Sequence, residues 1–340
     1  MPRRRRGPGS AVATLAAALA LSSCASAPAV DGHVSVRNRI AQEAGLLVEA
    51  RYPQTGPAVS AHLARGNEPE YEFHGERIVG RIPTRIGELG CILVLPEAQS
   101  ARGTVFLFHG YLSYGIYVLG LAERLADRGW SVLDMDLPGH GFSDGNRGDI
   151  RSFSDYAEAI SDLMRWAGSQ ARFDLPRPFV LLGHSAGGAA VLTKIFDPSA
   201  GERPDAAILL APLVRPVDSW AVPLAGFIAP IVPRVKSTDG DDGYLGVRYI
   251  PLSWVRALGQ WWPSLERAPP SSIPALVVQG TADKVLEWRR NIALLERKLP
   301  AAKFILLPEA GHVLPVGGAA RDACLAAASD FLDTISKDFP

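Results

Sequence analysis

Short apolar runs alternate with longer amphipathic segments over most of this chain, starting at about residue 77. The runs have the length and composition of buried strands and are CILVLPE, GTVFLFHG, WSVLDMDLPGHG, FVLLGHS, AAILLAP, PALVVQGTAD and KFILLPEAGH. The segments between them, such as SFSDYAEAISDLMRWAGS, carry apolar residues at helical spacing, and a last helix is predicted from about 317 to 335. Strands that are joined by helices form a mostly parallel sheet with helices on both faces. The sequence therefore predicts an α/β fold.

The alternation stops between residues 213 and 271. This segment holds four of the chain's seven tryptophans, which are Trp220, Trp254, Trp261 and Trp262. An insert of about 60 residues is too long for a simple connection between a strand and a helix. We predict that it forms a cap, or lid, on the α/β core.

The pentapeptide Gly183-His184-Ser185-Ala186-Gly187 fits the pattern G-x-S-x-G and stands between a predicted strand and a predicted helix. In that pattern a sharp strand-to-helix turn exposes the serine hydroxyl, and the glycines let backbone segments approach closely. Ligands of open α/β sheets bind beyond the carboxyl ends of the strands, where this turn is expected. Ser185 is therefore the predicted nucleophile.

A serine hydroxyl needs a base to accept its proton, and the base needs an acid to orient it. Of the seven histidines, His312 follows the last predicted strand on a loop from which it can reach Ser185. Asp283 directly follows the preceding strand, while the alternative acids Glu287 and Glu309 lie further from a strand end. The chain order serine, aspartate, histidine is the order of the α/β-hydrolase triad. It predicts that Ser185, Asp283 and His312 act together.

An acyl-transfer site also needs two N–H groups directed at the oxygen on which negative charge develops. We expect one from Ala186, the residue after the nucleophile, and the other from Tyr111, in the loop that follows GTVFLFHG. His109 and Gly110 precede Tyr111 and are predicted to support this oxyanion loop.

With these residues the sequence resembles the α/β-hydrolase superfamily and, within it, the monoacylglycerol lipase/lysophospholipase group, which is serine aminopeptidase S33-like. The resemblance extends from about residue 77 to 335 and rests on FHGY, DMDLPGHGFSDGNRGDIRSFSDY, LLGHSAGG, LLAPLV, VVQGTADKV and EAGHVL. It implies an α/β-hydrolase core at 71–212 and 272–340, with a cap at 213–271 after the sixth strand. Two positions depart from the group, because Ser113 stands where glutamate is usual and Ala186 where methionine is common.

The resemblance implies a serine carboxylester hydrolase that cleaves acyl esters through an acyl-enzyme and needs no cofactor or metal. The implied substrates are lipid-like, monoacylglycerol or lysophospholipid, and an acyltransferase that uses the same acyl-enzyme is an alternative. A small-ester esterase and an aminopeptidase or amidase of the same group are further alternatives. A peptidase would bind the α-amine of its substrate with carboxylates, for which Asp239, Asp241 and Asp242 are candidates. A non-catalytic scaffold is disfavoured because such proteins typically lose a member of the triad.

The first residues have the pattern of an export signal. Arg3–Arg6 form a charged region, and Ala11–Leu21 form an apolar region too short to span a bilayer. The sequence Leu21-Ser22-Ser23-Cys24 resembles a bacterial lipobox, which implies a signal peptide at 1–23 and lipid attachment at Cys24. We expect a protein anchored in a bacterial cell envelope, on the periplasmic side of the outer membrane where there are two membranes. An ordinary secretory signal that is cut a few residues later is the alternative.

Residues 24–70 are predicted to form a tether and an N-terminal extension. The extension contains one predicted helix over Arg37–Ala50, which Pro53 and Pro57 close.

Composition and cysteine content exclude other classes. The formal net charge is zero, which gives no electrostatic case for nucleic acid as a partner. Besides Cys24 the chain has Cys91 and Cys324, both in apolar surroundings. Buried free thiols are predicted, with a disulfide in an oxidising compartment as the alternative. The spacing of cysteine and histidine does not predict a metal site.

Overall fold

The computed structural model describes residues 32–50, 54, 56–97, 100–197, 201–237, 243–337 and 339. The strands are β1 (Glu76–Thr84), β2 (Gly87–Leu95), β3 (Thr104–Phe108), β4 (Ser131–Met135), β5 (Phe179–His184), β6 (Ala206–Leu210), β7 (Arg234–Lys236), β8 (Tyr249–Pro251), β9 (Ala275–Gly280) and β10 (Ala302–Leu307). Eight of them form one sheet in the order β1-β2-β4-β3-β5-β6-β9-β10, and β7 pairs with β8 separately. In the large sheet β2 is antiparallel to β1 and β4, and the other neighbours are parallel. The predicted mostly parallel sheet is confirmed.

Helices cover both faces of this sheet. They are α1 (Gly32–Ala44), α2 (Pro57–Gly66), α3 (Leu119–Ala126), α4 (Ser154–Ser169), α5 (Ala186–Phe196), α6 (Val222–Ile228), α7 (Leu252–Arg267), α8 (Trp288–Lys298) and α9 (Gly318–Lys337). Side chains of β3 alternate between two cores, because successive strand residues point to opposite faces. Phe106 and Phe108 join the core that contains α4 and α5, while Val105 and Leu107 join the core of α3 and α9. The α/β fold with helices on both faces is confirmed.

The first strand was not among the predicted runs. β1 has the sequence ERIVGRIPT, in which polar residues interrupt the apolar ones, and both ends of the strand are exposed or half-buried. It pairs along its length with β2 through a hairpin that closes between Thr84 and Gly87. Arg77 and Arg81 interrupt the apolar residues of β1, and this explains why the sequence pattern did not predict it.

The helix predicted over Arg37–Ala50 is wrong at both ends, because α1 begins at Gly32 and ends at Ala44. α1 ends at Ala44 because Gly45 adopts a φ of +61°, the left-handed conformation that commonly ends helices. Pro57 is the first residue of α2 and does not close a helix. The signal segment and Cys24 lie outside the described residues.

The segment between β6 and β9 includes the residues predicted to form the cap. It contains α6, β7, β8 and α7. Three tryptophans of α7 are buried in the core that contains α4 and α5, namely Trp254, Trp261 and Trp262. By contrast, Trp220 is 71% exposed. Within the described ranges, no helix has both the length and the hydropathy that a membrane span requires.

Candidate active site

Ser185 stands at the sharp turn between β5 and α5. Its backbone has φ 50° and ψ −111°, a conformation that is strained for a residue with a side chain. The glycines around it are sterically required. A Cβ at Gly187 would collide with the backbone carbonyl of Phe108, and a Cβ at Gly183 would collide with the backbone of Gly187. The turn therefore depends on the close packing of β5, α5 and the end of β3.

We expect Gly187→Ala to destabilise the fold by about 2–3 kcal/mol or more, since the added methyl group must displace backbone. Thermal unfolding measures this as a clear fall in Tm. Gly168→Ala is the matched control, because it lies in α4 and its Cβ would meet the Phe179 ring at an ordinary 3.9 Å. The control should leave Tm unchanged or raise it, since alanine is favoured over glycine inside a helix. Equal Tm values for the two variants would contradict this account of the turn.

The structure brings the three predicted residues of the triad together. His312 Nε2 lies 2.9 Å from Ser185 Oγ, and His312 Nδ1 lies 2.9 Å from Asp283 Oδ2. An ionised carboxylate only accepts hydrogen bonds, so Nδ1 carries the proton and Nε2 is free to accept from the serine hydroxyl. This is the tautomer that general-base activation of a serine requires.

Asp283 is held as a carboxylate by its neighbours. Oδ1 accepts from the backbone N–H groups of Val285 and Leu286 at 2.8 and 3.1 Å, and Oδ2 accepts from Gln279 Nε2 at 3.0 Å as well as from His312. Burial by itself raises the pKa of Asp283. The hydrogen bonds from His312, Val285 and Gln279 outweigh burial and lower that pKa below its ordinary value.

The two alternative acids make other contacts. The Glu287 carboxylate accepts from Ser219 at 2.7 Å and pairs with Arg290 at 2.9 Å. Glu309 lies on the turn after β10, where its backbone N–H donates to Thr281 Oγ1. Of the three candidate acids, Asp283 is the one that contacts His312.

His109 fixes the peptide group between Gly110 and Tyr111. His109 Nδ1 lies 2.7 Å from the Gly110 carbonyl oxygen, and the N–H of Leu137 donates to His109 Nε2 at 2.9 Å. The carbonyl can only accept, so His109 is the neutral tautomer protonated at Nδ1. Burial lowers the pKa of His109 to about 4, which keeps this tautomer at neutral pH. In a trans peptide the Tyr111 N–H points away from the Gly110 carbonyl and therefore away from the His109 ring.

The other predicted oxyanion donor is the N–H of Ala186. Ala186 is the first residue of α5, and the first N–H groups of a helix have no intrahelical acceptor. The loop that carries Tyr111 passes close to the nucleophile, because a Cβ at Gly110 would lie 3.5 Å from Ser185 Cβ. This arrangement agrees with the assignment of Tyr111 and Ala186, which stays a prediction.

The side chain of Tyr111 ties the oxyanion loop to the insert. Its ring stacks on Trp254 of α7 with 3.9 Å between ring centroids, and its hydroxyl donates to the Gly148 carbonyl at 2.6 Å. The backbone N–H of Val247, also in the insert, donates to the carbonyl of Leu112 at 3.3 Å. The part of the insert around α7 and β8 therefore packs against the oxyanion loop and supports it.

A sequence profile described as "Serine aminopeptidase, S33" matches residues 99–316. The match covers more than half of the chain and includes Ser185, Asp283 and His312. The chain belongs to the serine aminopeptidase S33 family. Membership of the S33 family makes the protein a serine hydrolase with the α/β-hydrolase fold, in agreement with the resemblance found in the sequence.

Two relatives of this chain are lipases by name. A monoacylglycerol lipase of Mycolicibacterium smegmatis is 29% identical over 219 residues, which cover 58% of this chain and 75% of that protein. The monoglyceride lipase of Rattus norvegicus is 27% identical over 243 residues, which cover 63% of this chain and 76% of that protein. Among solved structures, a soluble variant of the monoglyceride lipase of Saccharomyces cerevisiae with a substrate analog has a TM-score of 0.65 at 16% identity. It covers 79% of this chain and 99% of that one, and shows a shared fold.

Two side chains of the active site, Gln279 and His184, were not predicted from the sequence. Gln279 is fully buried and donates to Asp283. The sequence feature that could have indicated it is a polar residue inside the apolar run PALVVQGTAD. His184 contacts the backbone of His312 across 128 residues of chain, which no local pattern indicates. The carboxylates proposed for an α-amine, Asp239, Asp241 and Asp242, lie outside the described residues.

Cys91 and Cys324 are both free and buried, as predicted. Burial raises the pKa of the Cys324 thiol to about 12 and that of Cys91 well above its ordinary value. In the described part of the chain, histidine, cysteine and acidic side chains do not form a group of three that could hold a metal ion.

Proposed function

We propose that this protein is a serine carboxylester hydrolase that acts on acyl esters of lipid-like molecules. The proposal is carried by the two 2.9 Å contacts that link Ser185 Oγ to His312 and His312 to Asp283. Attack by a serine hydroxyl needs a base within hydrogen-bond reach and a group that orients this base. Because no cofactor or metal takes part in such a reaction, the proposal requires only the protein and water.

In the proposed reaction Ser185 Oγ attacks the acyl carbon while His312 Nε2 takes the hydroxyl proton. The Tyr111 and Ala186 N–H groups stabilise the oxyanion that forms, and Asp283 stabilises the imidazolium. His312 then gives the proton to the leaving alcohol, which departs and leaves the acyl group on Ser185. Water attacks the acyl-enzyme and gives its proton to His312, and the proton returns to Ser185 as the carboxylic acid is released.

The lipid-like class of the substrate is supported by the relatives and by an exposed apolar surface. Both relatives described above bear the names of monoacylglycerol lipases. Trp220, Leu224, Phe227 and Ile231 follow each other at helical spacing along α6 and its flanks, and are 71, 52, 80 and 82% exposed. The sequence from 219 to 237 contains two cations and no carboxylate. Exposed apolar residues beside cationic ones are typical of segments that lie on a lipid surface.

An aminopeptidase or amidase is the second candidate, and the description of the S33 family favours it. The same serine, histidine and aspartate would cleave an amide, with His312 protonating the leaving amine. A small-ester esterase and an acyltransferase would use the same acyl-enzyme and differ in the acyl pocket or in the acceptor.

The experiment that tests the proposal measures kcat/KM on p-nitrophenyl esters of increasing acyl length, long-chain monoacylglycerol, lysophospholipid and an aminoacyl p-nitroanilide. We expect kcat/KM to rise about fourfold for each CH₂ that the site buries, because each buried CH₂ is worth about 0.8 kcal/mol. A maximum at acetate or butyrate would indicate a small-ester esterase. Cleavage of the anilide alone would indicate the aminopeptidase, and ester cleavage that does not need Ser185 would contradict the mechanism.

For the location, we propose that the protein is anchored through a lipid on Cys24 in a bacterial cell envelope. The support is the sequence alone, a charged region, an apolar region and the lipobox-like Leu21-Ser22-Ser23-Cys24. A mature N-terminus at Cys24 that carries acyl chains, found by mass spectrometry, is the expected result. An unmodified N-terminus beyond Cys24 would contradict it.

A further inference from the structure

The side chain of His184 lies between the loop that carries His312 and the loop that carries Tyr111. His184 Nε2 is 3.0 Å from the carbonyl oxygen of His312, and the two imidazole rings are 5.2 Å apart between centroids. On its other side the ring packs on Gly110, where an added Cβ would lie 3.0 Å from His184 Nδ1. His184 is 7% exposed, so this is a buried contact of both loops with the turn that holds Ser185.

The contact defines the protonation of His184. A carbonyl oxygen can only accept, so Nε2 carries the hydrogen and donates it. Burial is the main reason that the pKa of His184 falls to about 3, and the neighbouring His312 acts in the same direction. His184 is therefore a neutral donor at any pH at which an esterase would be assayed. A cation at this position would repel the imidazolium that His312 becomes in the reaction.

The position of His312 needs such support. It lies after β10 in a segment, 311–317, that has neither helix nor strand, and its ring must reach Ser185 and Asp283 at once. Displacement of a reacting group by about 1 Å can cost about 100-fold in rate. The hydrogen bond from His184 joins the backbone of His312 to the residue that precedes Ser185, so it links the base to the nucleophile turn.

We propose that His184 is a positioning residue that holds the His312 backbone against the nucleophile turn through its Nε2–H. The inference rests on the proposed function and deepens it, because it names a residue that assembles the same site without touching the substrate. It also accounts for Gly110, since a side chain there would press on the His184 ring.

The test compares His184→Gln with His184→Met, which are similar in length and flexibility and differ in the ability to donate a hydrogen bond. We expect kcat of His184→Met to fall about 10- to 100-fold with KM within about twofold, because the base is misplaced while substrate binding is kept. His184→Gln should recover kcat to within about threefold of the wild type. His184→Phe is a second variant that cannot donate, and it replaces His184→Met in the comparison if that variant does not fold. The Tm of each variant shows whether it folds.

Equal losses in the Gln and Met variants, a wild-type kcat in the Met variant, or a loss confined to KM would overturn the inference. The rate at which a fluorophosphonate probe labels Ser185 is measured on the same proteins, because it needs no knowledge of the substrate. Labelling that depends on the donor at 184 in a protein that cleaves no ester would overturn the proposed function and keep this inference. If ester cleavage and labelling both occur and neither depends on the residue at 184, the inference is overturned and the proposed function is kept.

Discussion

Ser185→Ala will lower kcat for ester hydrolysis by about four to six orders of magnitude and leave KM nearly unchanged. The hydroxyl is the atom that bonds to the acyl carbon, so its loss removes the acyl-enzyme route altogether. Substrate binding depends on the walls of the site, which a buried alanine preserves. Steady-state rates on the best p-nitrophenyl ester, measured at enzyme concentrations high enough to detect the residual activity, give both constants.

The matched control is Ser329→Ala. Ser329 lies on α9, where its hydroxyl donates to the Leu325 carbonyl of the same helix at 2.7 Å and not to a residue of the triad. We expect this variant to keep its kcat. A second check is a fluorophosphonate probe, which should label the wild type and the control and leave Ser185→Ala unlabelled. Ester turnover by Ser185→Ala above one hundredth of the wild-type rate would contradict the assignment of the nucleophile.

The structure places Ser185 at a sharp strand-to-helix turn of the kind that the sequence predicts, because the signal for such a turn is local. Gly183 and Gly187 each lie two residues from Ser185, and each is required by a backbone contact that forms within the same turn or with the neighbouring strand. Asp283 and His312 were found by topology, since parallel strands bring the loops at their carboxyl ends to one edge of the sheet. The order of strands along the chain was enough for that inference.

Contacts between distant loops could not be predicted in the same way. The donor that His184 offers to His312 and the stack of Tyr111 on Trp254 join residues far apart in sequence. Neither pair leaves a periodic pattern, because each depends on how loops fold over the finished sheet. The strand β1 was not predicted for a local reason, because Arg77 and Arg81 interrupt its apolar residues.

Asp283→Asn will lower kcat by about 10⁴-fold, although it changes the shape of the side chain very little. In the wild type Oδ1 accepts from the N–H groups of Val285 and Leu286, while Oδ2 accepts from Gln279 and His312. The two backbone donors require an acceptor, so the amide oxygen of asparagine will take the place of Oδ1. The amide NH₂ then occupies the place of Oδ2 and faces two groups that donate.

His312 can relieve this donor–donor conflict by moving its proton from Nδ1 to Nε2. In that tautomer Nδ1 accepts from the asparagine amide, and Nε2 carries a hydrogen toward Ser185 Oγ, 2.9 Å away. A protonated Nε2 cannot take the serine proton, so the base is present in the correct place and in the wrong form. KM should change little, because the Asp283 side chain is fully buried.

Asp330→Asn is the matched control for the change from carboxylate to amide, since Asp330 is an exposed residue of α9. It should keep both kcat and Tm. The state of His312 can be observed directly, because the ¹⁵N shifts of its two ring nitrogens exchange character when the proton moves from Nδ1 to Nε2. A kcat of Asp283→Asn within tenfold of the wild type would contradict the role of Asp283, and a large loss without a change of tautomer would contradict the reason given for it.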